Sequence, residues 1–211
     1  MKQMLNKSIN LIIEKMKNRI LMGFAALAIV AFLSSCSKVP QEQIDGAKAA
    51  IETAKAAQAD VYLPAEFAAL QDSLTATMAA IEVQNSKLFK KFGPAKLQLE
   101  AIVASAAQVS ENAVATKELV RVEAETLLAE LNTLIAQNKE LMLKAPKGKG
   151  GAAVLEEIKN EMAVIEESFV EASTLFANGE FMSAKDKATA AKENALAIQT
   201  ELTDAIAKVK R

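Results

Sequence analysis

From Pro94 to Lys144 every seventh residue is apolar: Leu99, Ala106, Ala113, Val120, Leu127, Leu134 and Leu141. A seven-residue apolar repeat marks the seam of a helix packed on partners along its length. The companion positions change phase along it. Ile102 and Val109 follow their seam members by three residues, whereas Ala124 and Leu131 follow theirs by four. The seam therefore rotates near Lys117–Glu123, as expected where different partners cover the two halves. As a straight helix this stretch spans roughly 75 Å.

Glycine and proline divide the rest. Pro40 opens a first helix to about Ala59, and Asp60-Val61-Tyr62-Leu63 reads as a turn. Pro64 with Glu66 opens a second helix to about Lys91. Gly93-Pro94 reads as a stop and a start, with glycine at the C-terminal cap and proline in the next first turn. Residues 145–151, with one proline and three glycines, end the long helix. A fourth helix reaches Ala177 and stops at Asn178-Gly179, and Ser183 with Asp186 caps a fifth. The expected fold is all-α, an elongated bundle of about five helices with a long central spine and a helical hairpin at each end. A shift of 119 residues aligns Tyr62-Leu63 with Phe181-Met182, Ala65 with Ala184 and Ala69 with Ala188, which suggests that the hairpins are repeats.

Composition agrees. The chain is rich in Ala, Glu, Lys, Leu and Gln, strong helix formers, and lacks alternating β-branched runs. Residues 36–211 suit one domain large enough to bury a core.

The N-terminus reads differently. Lys17 and Arg19 precede an apolar run from Ile20 to Leu33, followed by small Ser34 and Ser35 and then Cys36, the single cysteine of the chain. Fourteen apolar residues cover about 21 Å as a helix, short of the roughly 30 Å hydrocarbon core. The pattern resembles a bacterial lipoprotein signal peptide, with Leu33, Ser34, Ser35 and Cys36 as its lipobox. That resemblance implies cleavage before Cys36, lipid on its sulfur including palmitate, and anchoring in a membrane, for which two or more chains suffice. Met16 could itself begin a signal peptide of ordinary length, which makes residues 1–15 a candidate misassigned start. Ser37 after the cysteine resembles enteric lipoproteins passed to the outer membrane. The expected location is thus the cell envelope, facing the periplasm.

Of the 25 basic and 26 acidic residues, five basic and one acidic precede Cys36, leaving 20 and 25. That acidic balance carries no electrostatic footprint for nucleic acid. Once Cys36 is acylated no thiol remains for a disulfide or a thiolate metal site.

The stretch Ala54-Lys55-Ala56-Ala57-Gln58-Ala59-Asp60-Val61-Tyr62-Leu63-Pro64-Ala65-Glu66-Phe67 resembles an Ala-rich helical-hairpin family of envelope lipoproteins without assigned function. Asn178-Gly179-Glu180-Phe181 resembles its second half and is also weakly tetratricopeptide-like. The resemblance implies fold and location and brings no active site.

Chemistry is sparse. The chain has no histidine, which removes the commonest general base and metal ligand. Gly148, Gly150 and Gly151 follow no strand and lack a phosphate-loop pattern. The acid pairs Glu156/Glu157 and Glu166/Glu167 are neighbours on a helix, about 100° apart, and read as solvated surface. No catalytic residue, cofactor or metal is expected. Tyr62, Phe67, Phe89, Phe92, Phe169, Phe176 and Phe181 fall near turns, where they read as core plugs. A partner-binding reading attaches to Tyr62, Phe67 and Phe181, and to Lys147 and Lys149, which suit phosphates or carboxylates of the envelope. Lys87, Lys90 and Lys91 lie near a helix end, where lysine is favoured by the dipole. The expected role is a non-enzymatic scaffold engaging an envelope protein or peptidoglycan, with oligomeric state open. The alternative is a small-ligand carrier with a cavity between its helices.

Overall fold

The computed structural model of the protein describes residues 38–146, 148 and 151–209. The expectations for the signal peptide, for Leu33, Ser34, Ser35 and Cys36, and for Lys147 and Lys149 lie outside the described residues. Six helices form among them: α1 (Gln41–Ala56), α2 (Ala59–Tyr62), α3 (Pro64–Asn85), α4 (Gly93–Lys144), α5 (Gly151–Ala177) and α6 (Phe181–Val209). The all-α expectation holds, and α4 is the spine, at 52 residues.

α1 and α3 pack on the first half of α4, and α5 and α6 on the second. In each half the helix running parallel to the spine packs on it most extensively. Three cross-links show the direction for α6. Lys185 Nζ donates to Glu123 Oε2 at 2.6 Å, Lys192 Nζ to Glu130 Oε2 at 2.5 Å and Gln199 Nε2 to Gln137 Oε1 at 2.9 Å. Each step is seven residues on both helices, the spacing of a parallel pair that keeps one seam. Small residues allow close approach: Ala47 and Ala54 of α1 and Ala184, Ala188 and Ala195 of α6 are fully buried.

The turns follow local chemistry. Proline disfavours helical backbone in the residue before it; Leu63 accordingly sits at φ −140°, ψ 56°, and Pro64 opens α3. α1 ends at Ala56 rather than near Ala59. Gln58 takes a left-handed conformation at φ 62°, and Ala59–Tyr62, expected as a turn, coils into the short α2. At Gly179, φ +81°, the Glu180 N–H donates to Leu175 O and the Gly179 N–H to Phe176 O. That bonding pair is the glycine-terminated end the Asn178-Gly179 signal implied.

Four expectations are corrected. α3 stops at Asn85, not Lys91, where Ser86 Oγ bonds back to Val83 O at 2.9 Å, and residues 86–92 form a loop. Gly93 begins α4 rather than capping the helix before it, and its φ is not positive. Glu180, not Ser183, precedes α6, since the Ala184 N–H already bonds to Glu180 O. Finally, one of the two rows of the spine seam shifts by one residue beyond Ala124. The companions Ala124 and Leu131 are buried as expected, but Leu128 and Ile135 are buried in place of Leu127 and Leu134, which are half-buried, as is Leu141. Two helices flank the spine there, so the row that faces between them lies beside the heptad members.

The repeat is also corrected. Ala65 and Ala69 are exposed, whereas Ala184 and Ala188 are buried. The first helix of one hairpin and the second helix of the other take the spine-parallel position, so the two are not translated copies.

Candidate functional site

Both hairpins point their turns at the middle of the spine, and Lys117 stands between them. Its ammonium donates to Gln58 Oε1 at 2.6 Å and lies 5.8 Å from the centre of the Phe181 ring. The left-handed backbone of Gln58 carries the first contact, and the Gly179 turn delivers Phe181 for the second. The Phe181 ring in turn tilts 55° against Phe176, with centroids 5.2 Å apart, an edge-biased pairing favoured by the ring quadrupoles.

Tyr62 joins the hairpins a second time. As the first residue of α6, Phe181 has an amide without an intrahelical acceptor. The Phe181 main chain lies close enough to the Tyr62 hydroxyl to act on its ionisation. Burial pushes the Tyr62 phenol above its ordinary value of 10.0, and the neighbouring Phe181 main chain lowers it by less. Next to the junction, Arg121 bridges Glu118 at 2.8 Å and Glu125 at 3.0 Å. Its hydrogen bond holds the exposed Glu118 carboxyl below the usual range.

The sequence-predicted residues thus separate. Tyr62 and Phe181 meet at the junction, while Phe67 is buried in the core of the first half. Tyr62 and Phe67 leave little surface for a partner, so the partner-binding reading of these two gives way to internal packing. Phe92 is buried, as a core plug should be, but Phe89 is 80% exposed. Among the acid pairs, Glu156 is bridged by Lys159 and Glu166 by Lys139. Among the described residues no group of acids is arranged to hold a metal ion, and no helix is long and apolar enough to cross a membrane.

Three features escaped the sequence. Gln58 and Lys117 are ordinary polar residues whose roles depend on a contact across 59 positions. Asn138 is fully buried; its Nδ2 donates to Ala195 O at 2.7 Å while its Oδ1 has no partner. Leu88 and Phe89 project from the 86–92 loop, the former 91% exposed. A surface depression at Gln137, Glu140, Leu141, Lys144, Thr203 and Asp204 is open and mixed in polarity. It lacks the largely apolar, enclosing walls of a typical small-molecule site.

Comparison with protein-family models, with curated proteins and with solved structures gives no match.

Proposed function

We propose that the protein is a lipid-anchored lipoprotein of the cell envelope, attached through Cys36, that works without catalysis as a scaffold for another envelope protein or the cell wall. The anchor rests on Leu33-Ser34-Ser35-Cys36 after its basic and apolar run. The scaffold role is supported by one observation above the rest: a single continuous helix carries both hairpins, and Lys117 ties their turns together. Such a unit holds side chains at fixed separations over about 78 Å, the length of α4. That suits presentation of helical faces better than the enclosure of a substrate.

Two measurements test this. Cys36→Ala should abolish palmitate labelling and leave a longer, unprocessed precursor; unchanged labelling rejects the anchor. In-cell crosslinking of the tagged lipoprotein, followed by identification of what is captured, tests the scaffold. One dominant envelope protein or peptidoglycan fragment supports it. Recovery of the chain alone, together with a ligand-induced rise in melting temperature, transfers the role to a small-ligand carrier.

A further inference from the structure

The loop from Ser86 to Phe92 combines the most exposed apolar side chains of the described protein with a local excess of positive charge. Leu88 is 91% exposed, Phe89 80%, and Leu97, on the first turns of α4, 69%. Between Glu82 and Glu100 there is no acid, while Lys87, Lys90, Lys91 and Lys96 all fall there. This basic segment stands in a region, from Cys36 onward, that is acidic in balance. Phe92, three residues after Phe89, is buried, so the loop has an inward and an outward aromatic. Lys90 Nζ donates to Asn85 Oδ1 at 2.7 Å, which holds the outer part of the loop back on the end of α3.

Exposed apolar residues ringed by lysines fit one surface in particular. The apolar tips enter the acyl boundary of a bilayer while the ammonium groups remain among anionic headgroups. A protein groove that took Leu88 and Phe89 would have to supply acids for the lysines; a bilayer containing anionic lipid supplies both at once.

The chain path adds a second argument. α1 and α3 form a hairpin, so Pro40, at the start of α1, lies at the same end of the bundle as this loop. α3 has 22 residues against 16 in α1, which carries its end past Pro40 by about 9 Å. Cys36 precedes Pro40 by four residues, a reach of up to about 14 Å. An acylated Cys36 and the tip of the loop can therefore meet the same lipid plane.

We propose that the Ser86–Phe92 loop is a second membrane contact, in which Leu88 and Phe89 insert into an anionic bilayer beside the lipid anchor and Lys87, Lys90 and Lys91 pair with its headgroups. The proposal rests on the lipoprotein reading above. With two points of contact at one end, the spine stands away from the membrane instead of swinging on a flexible tether.

The chain contains no tryptophan, so a single introduced one reports its own surroundings. Phe89→Trp and, as a control, Leu143→Trp are prepared in the mature lipidated protein. Leu143 is also exposed, at the far end of α4, about 75 Å from Gly93. Each variant is reconstituted with vesicles of phosphatidylethanolamine and phosphatidylglycerol, with and without brominated acyl chains. The expected result is flotation of both, with blue-shifted, bromine-quenched emission at position 89 and water-like, unquenched emission at position 143. Replacing Lys87, Lys90 and Lys91 by Glu should remove the quenching at position 89 while the helical circular dichroism is retained. Flotation with water-like emission at position 89 overturns the loop contact and leaves the anchor standing. A blue shift without bromine quenching overturns it in favour of a protein neighbour, a second copy included. Quenching at both positions overturns the upright arrangement, since the bundle then lies along the surface. Failure to float rejects the anchor and the proposal with it.

Discussion

The Lys117 ammonium sits 5.8 Å above the ring of Phe181, although one residue belongs to the middle of the spine and the other opens the last helix. The same ammonium reaches back to Gln58 at the turn of the first hairpin, 59 positions earlier. One side chain therefore couples two halves whose cores are otherwise separate clusters. A lysine suits this position because its flexible stem lets a point charge satisfy an amide and a ring face together.

Lys117→Met, which keeps most of the stem and removes the charge, should lower stability by about 1 kcal/mol, the range of a partly exposed cation–π contact together with a charged hydrogen bond. Urea denaturation measures it. Combining it with Gln58→Ala should cost less than the two separate losses added, because they remove the same bond. Strict additivity would show that Lys117 and Gln58 do not interact in solution.

Leu131 is fully buried and Leu127 half-buried. Leu131→Ala should therefore cost about 2–5 kcal/mol, the usual range for a deleted core leucine, and Leu127→Ala distinctly less. Thermal melting of the two variants side by side decides the matter. The reverse order would put Leu127 rather than Leu131 at the centre of the seam.

The first half of that seam was legible because Leu99, Ile102, Ala106 and Ala113 keep a regular period under a consistent set of neighbours. Beyond Ala124 the period persisted but the buried row moved to Leu128 and Ile135, since α5 and α6 together decide which side is covered. Periodicity records that a helix has a wet side and a dry side; it fixes the dry side only to within one position. The end of α3 was misread for a related reason. Leu88 and Phe89 continue an apolar helical pattern, yet nothing in a single sequence distinguishes a plug from a side chain presented outward. Phe92 and Phe89 are the two outcomes of the same composition. The junction was legible only through its turn aromatics Tyr62 and Phe181, because Gln58 and Lys117 gain their roles only when both turns arrive at mid-spine. The proposed lipobox reading, by contrast, rests on a local pattern and depends on no fold.

Asn138 sits fully buried among apolar neighbours with its Oδ1 unpaired. A buried polar atom without a partner typically costs about 1–3 kcal/mol. Asn138→Leu should thus raise the melting temperature, even though it gives up the bond from Nδ2 to Ala195 O. What the asparagine supplies instead is alignment: a single buried amide at a helical seam penalises registers that leave it without any acceptor. The variant should therefore show slower or less uniform packing of α6 on α4, visible as broadened amide resonances along α6. A less stable variant with sharp resonances would contradict both parts.

Tyr62 makes the fold sensitive to alkali. Burial raises its folded-state value above the ordinary 10.0. The neutral phenol is thus favoured in the folded protein more than in the unfolded chain. The stability this contributes is fully present below the unfolded value and is lost as pH climbs through the folded one. Lysines also titrate in that range, so the wild type alone cannot isolate the effect; Tyr62→Phe can. The variant should be slightly less stable at neutral pH, by at most about 1 kcal/mol, having lost the polar contact of the hydroxyl with the Phe181 main chain. Above pH ~10 the gap should narrow as wild-type Tyr62 begins to pay for ionising in a buried place and the variant does not. Urea midpoints of both proteins across that range measure the difference. A gap that stays constant or widens would mean that the phenol meets solvent in the folded state, and that the two hairpin turns are not closed over it.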